Sequence, residues 1–61
     1  MTKKEMVYEI IANTKIHSLN ERDVLKRITE VKKSKIEEIH NAFLKDKEHA
    51  KFYFNAFMYY N

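Results

Sequence analysis

Residues 34–60 read SKIEEIHNAFLKDKEHAKFYFNAFMYY, and the phase of their apolar residues decides the fold. At 100° per residue, Ile36, Ile39, Phe43, Ala50, Phe54 and Phe57 fall on a single stripe. Ile36 and Phe54 share one phase, since eighteen residues make five turns. The stripe predicts one continuous helix over residues 34–60, roughly 39 Å long at 1.5 Å per residue. Lys47 interrupts the stripe. The polar run around residues 45–48 offers the alternative of a break and a fourth helix. No glycine or proline stands there to force one, so continuity is the expectation.

The wheel changes character halfway along. The side opposite the stripe carries Glu38, Asn41 and Lys45 in the first half, an ordinary solvated face. In the second half the same side carries Phe52, Ala56 and Tyr59. From Ala50 onward, apolar residues cover roughly 260° of the wheel, where a surface helix needs only ~100° or somewhat more. The last twelve residues hold six of the eight aromatic residues in the chain. Two shorter helices can cover one side of such a segment. Phe52, Ala56, Tyr59 and Tyr60 are therefore assigned to a partner, most simply a second copy of the chain.

Two helices should precede this segment. Thr2-Lys-Lys-Glu5 is a capping box, in which the hydroxyl accepts from the N–H three residues on and the glutamate reaches back. It opens a helix over residues 3–12 with Met6, Val7, Ile10 and Ile11 inward and Asn13 as a left-handed stop. Ser18-Leu-Asn-Glu21 forms a second box. Asn20 competes with it as N-cap, with Leu19 stapling onto Val24. Either start gives a helix over residues 21–32, with Val24, Leu25, Ile28 and Val31 inward. Ser34-Lys-Ile-Glu37 forms a third box, opening the long helix after a short turn. Helices two and three should then form a tight pair. The expected fold is all-α: a single domain over residues 1–61, a three-helix bundle with a long C-terminal helix.

Composition narrows the function. Sixty-one residues form a marginally stable domain that gains from association. With no cysteine, disulfides, thiolate metal sites and cysteine nucleophiles are excluded, and a reducing, cytoplasmic setting is expected. With no glycine, phosphate-cradling loops are excluded. No apolar run reads as a secretory signal or a membrane span. Usage rich in Lys, Ile, Asn, Phe and Tyr fits an AT-rich genome, as in many phages and mobile elements.

Catalytic groups lack support. Ser18 and Ser34 read as caps, and the paired carboxylates lie on solvated faces. Glu37-Glu-Ile-His40 matches half of a di-iron bundle motif, but Glu37 faces away from the stripe and a second motif is missing. His40 flanks the stripe and reads as a hydrogen-bonded boundary residue. No catalytic residue, cofactor, metal or small-molecule substrate is expected.

The expected function is a non-enzymatic interaction or regulatory module acting as a homodimer. The alternative is a small helix-turn-helix-like DNA-binding regulator. Residues 15–35 carry seven basic residues against three acidic ones. Arg22, Lys26 and Lys33 line up as a basic stripe that could track phosphates. Asn41 could read adenine, and Lys45 could reach phosphate or guanine. Glu37 and Glu38 oppose that reading, because they would face a phosphate-lined groove.

Overall fold

The computed structural model describes residues 1–60 and is all-helical among them. Four α-helices follow in order: α1 (Lys3–Thr14), α2 (Glu21–Glu30), α3 (Lys33–Leu44) and α4 (Ala50–Tyr59). A single 3-10 turn (Lys47–His49) separates α3 from α4. The continuous third helix is thus replaced by two, with the break at the polar run. The Cα envelope measures 26 × 25 × 21 Å, too short for a straight helix of roughly 39 Å.

Burial drives the break. All six residues of the stripe are buried, but from two helices that fold against each other. α4 turns back and packs most extensively on α1, which also carries α3. A straight helix would hold Phe54 and Phe57 beyond the reach of α1, which is only about 18 Å long at 1.5 Å per residue. Each fully buried Phe contributes about 1.5–3 kcal/mol. A few interrupted helical hydrogen bonds cost about 1 kcal/mol each. Folding back is therefore favoured once two phenylalanines and Ala50 are buried by it.

The break also provides its own hydrogen bonds. The Lys45 N–H donates to the Ala42 carbonyl, the Asp46 N–H to Phe43, and the His49 N–H to Asp46. The Asp46 carboxylate holds both sides of the corner, bonding His49 Nδ1 at 2.7 Å and accepting from Tyr53 Oη at 3.1 Å. Lys47, a blemish on the expected stripe, sits exposed in this corner.

Of the three capping boxes, the first forms as expected. Thr2 Oγ1 accepts from the Glu5 N–H, and Glu5 Oε1 accepts from the Thr2 N–H. At the second start Asn20 prevails over Ser18, its Oδ1 accepting from the Asp23 N–H at 3.3 Å. Leu19 is half-buried against the core, as a staple should be. The third box does not form. α3 starts at Lys33 with Lys32 as N-cap, so Ser34 lies inside the first turn. Only Val31 and Lys32 connect α2 to α3. The Val31 N–H closes α2 on the Arg27 carbonyl, and the Lys32 carbonyl already accepts from Lys35 and Ile36. The chain gains two helical residues and forgoes a side-chain cap of about 1 kcal/mol.

Other expectations also shift. α1 runs to Thr14, because Asn13 remains helical and turns its Nδ2 back to the Glu9 carbonyl. Thr14 Oγ1 likewise donates to the Ile11 carbonyl. The left-handed stop falls on Lys15, at φ 59° and ψ 25°. A non-glycine residue pays about 1–2 kcal/mol there. α2 buries Val24 and Ile28, while Leu25 is exposed and Val31 half-buried. Helices α2 and α3 do not form a tight pair: α2 packs lightly on α1, and α1 is the hub. Met6, Val7 and Ile10 supply that hub, with Ile11 half-buried.

Candidate functional site

α4 presents two different faces because its aromatic residues outnumber its core positions. Ala50, Phe54 and Phe57 point inward and are buried. Phe52 and Tyr59 lie on the far side, 66% and 71% exposed, with half-buried Ala56 between them at i+4 and i+7. Their rings stand in water, although each offers apolar area that burial would stabilise. Phe52 is steadied by an edge-to-face contact with Tyr53, their centroids 5.1 Å apart and their planes at 83°. Lys51 and Asn55 border the strip. Tyr60 is 69% exposed but lies beyond the helix, in extended backbone. The expected interface residues are thus three on one face and one at its end.

The end of α4 is held by α2. Arg27 Nε donates to the Phe57 carbonyl at 2.7 Å, and an Arg27 guanidinium N–H donates to the Tyr60 carbonyl at 3.2 Å. Both carbonyls lie at the C-terminal end of α4, where a cation is favoured by the helix dipole. Beside this clamp lies a groove of about 300 Å³ between α2, α3 and α4. Neither feature was visible in the sequence, where Arg27 reads as one more surface cation. Its phase three residues after Val24 places it at the edge of the buried face, the only signal available.

The basic residues are spread over two helices. Arg22 and Lys26 are exposed one turn apart on α2, Lys33 opens α3, and Asn41 and Lys45 are exposed further along. α2 balances its three basic residues (Arg22, Lys26, Arg27) with three acidic ones (Glu21, Asp23, Glu30). Glu37 and Glu38 are exposed on α3.

His40 is more deeply placed than a boundary residue, at 4% exposure. Its Nε2 bonds Glu9 Oε1 at 2.6 Å and ties α3 to α1. Its partner is thus Glu9, not the Glu37 of the half-motif. In the corner, the hydrogen bond to Asp46 holds the His49 imidazole above its ordinary value and the Asp46 carboxyl below. Burial and Asp46 together raise Tyr53. Asp46, Glu48 and His49 bring one ligand atom each within 4.8 Å of one another, a trio that could meet a cation. His49 Nδ1 and Asp46 are already bonded to each other there.

Among the described residues, no helix is long and apolar enough to cross a membrane. In comparisons with known proteins, no family model, no curated protein and no solved structure matches the chain.

Proposed function

We propose that the protein is a non-enzymatic interaction module that pairs with a second copy of itself through the outer face of α4. The observation that carries this reading is the exposure of Phe52 and Tyr59, on one face, while the opposite face of the same helix is fully buried. A self-complementary, two-fold interface suits the spacing. With Ala56 at the centre of an antiparallel helix pair, Phe52 of one copy meets Tyr59 or Tyr60 of the other. The small Ala56 side chain permits close approach. Three rings of about 150–250 Å², two-thirds exposed, offer on the order of 400 Å² per copy. That lies below the ~800 Å² per partner of a standard interface, so the pair is weak and reversible. The missing glycine loops and cysteines support a role without catalysis.

Sedimentation across roughly 1 μM to 1 mM tests this, a range that brackets weak association. The expected result is a concentration-dependent mass above 7.4 kDa, abolished in Phe52→Ala/Tyr59→Ala. A monomer at every concentration would overturn it.

DNA binding by a small regulator remains the second reading, favoured by the exposure of Arg22, Lys26, Lys33, Asn41 and Lys45. The charge balance of α2 weighs against it. Duplex titration at two salt concentrations decides: steep salt dependence, weakened by Arg22→Ala/Lys26→Ala, supports it.

A further inference from the structure

We infer that the groove between α2, α3 and α4 is a binding site for a small carboxylate with an apolar body. Its floor is apolar: Val31 from the α2–α3 turn, Ile39 from α3 and Phe57 from α4. Among the described residues, its rim carries three cations, Arg27, Lys32 and Lys35, against one carboxylate, Glu30. An apolar floor under a positive rim selects an amphiphile of negative charge. Lys35 Nζ lies 3.9 Å from the Glu38 carboxylate, an exposed and weak pair that leaves the ammonium able to meet a ligand. The C-terminal carbonyls of α4 would repel an anion, but Arg27 covers those of Phe57 and Tyr60. Lys32 and Lys35 therefore supply the positive charge that the rim offers a ligand.

Size narrows the class further. About 300 Å³ lies at the small end of ligand sites and suits roughly ten to fifteen non-hydrogen atoms. A medium-chain carboxylate fits, with its chain on Val31, Ile39 and Phe57 and its head between Lys32 and Lys35. The site stands apart from the proposed dimer face, since Phe52 and Tyr59 do not line it. Only Tyr60 touches both regions.

Octanoate and octanol are the probes, each titrated into the protein and followed by backbone amide shifts. Octanoate should give saturable shifts around Val31, Lys35, Ile39 and Phe57, with a dissociation constant on the order of 1 mM or tighter. Octanol, equal in chain but uncharged, should bind about tenfold more weakly. Lys32→Ala/Lys35→Ala should weaken octanoate by about tenfold and leave octanol unchanged. Both lysines reach solvent, so this variant should keep the helical circular dichroism of the parent. Equal binding of the two probes, octanoate affinity indifferent to the double substitution, shifts centred on Phe52 and Tyr59, or no saturable shift would each overturn the site.

Discussion

Arg27 on α2 donates its Nε–H to the Phe57 carbonyl on α4 at 2.7 Å, joining residues thirty positions apart. The bond does what a C-cap residue would do, but from a neighbouring helix. A charge-assisted hydrogen bond is worth about 1.5–3 kcal/mol, and the dipole adds 0.3–1. Arg27→Ala should lower the unfolding free energy by about 2–3 kcal/mol. Arg27→Lys should recover less than half, because an ammonium cannot present the same fork. Urea unfolding measures both. Amide exchange should accelerate first at the C-terminal end of α4. A loss under about 0.5 kcal/mol for the alanine variant would mean that water caps α4 equally well.

A second tie, between Glu9 and His40, should show strong coupling. His40 is buried and its imidazole has Glu9 as a 2.6 Å partner. Glu9→Ala leaves that ring without its bond and should cost about 1–2 kcal/mol, towards the lower end because Glu9 is one-third exposed. His40→Leu removes the polar group as well as the bond. In the double variant the loss should be smaller than the sum of the singles by about 1 kcal/mol. Strict additivity would show that the pair contributes nothing beyond its separate parts.

The corner between α3 and α4 should respond to pH. His49 is raised above its ordinary 6.5 by its hydrogen bond to Asp46, so its contribution is complete below that pH and fades as pH rises through the raised value. Asp46 is lowered below 3.8 by the same bond, so its contribution holds above that pH and fades as acid titrates the lowered carboxyl. The corner is therefore tightest between about pH 4 and 6.5. His49 is exposed and Asp46 only half-buried, so the readout is the titration itself. Imidazole chemical shifts should place the His49 midpoint above the ordinary 6.5. Asp46→Asn should bring the midpoint back towards 6.5; an elevation that survives the substitution in full would rule out Asp46 as its cause.

The periodicity of the sequence identified the core better than the connectivity. Ile36, Ile39, Phe43, Ala50, Phe54 and Phe57 are all buried, although they belong to two helices. A wheel reports phase alone, and a break whose residues span nearly whole turns leaves the phase unchanged. Nothing local at Asp46 resembles a strong breaker. Its role needs His49 and Tyr53 to fold back onto it. Asn20 was legible because a cap depends on residues within one turn. Ser34 misled for the opposite reason: the start of α3 is set by the closing of α2 at Val31. The outer strip, with Phe52 and Tyr59 exposed about a half-buried Ala56, was legible because excess apolar arc requires no tertiary knowledge. The Arg27 clamp and its groove were not, since they join three helices whose relative placement no local pattern encodes.

If core burial breaks the long helix, improving helix propensity at the corner should not mend it. Asp46→Ala/Lys47→Ala replaces two corner residues with the best helix former, a gain of roughly 0.7 kcal/mol or less for each. It also removes the bonds from His49 and Tyr53. Straightening would still expose Phe54 and Phe57, at about 1.5–3 kcal/mol each. The burial term is larger, so the variant should stay folded back, near the Cα radius of gyration of 10.3 Å, with reduced stability. Phe54→Ala/Phe57→Ala in that background removes the opposing term. The helix from Lys33 onward is then free to extend towards roughly 40 Å at 1.5 Å per residue. Small-angle scattering at low concentration distinguishes the two shapes. Extension in the corner variant alone would show that Asp46, rather than the phenylalanines, makes the break.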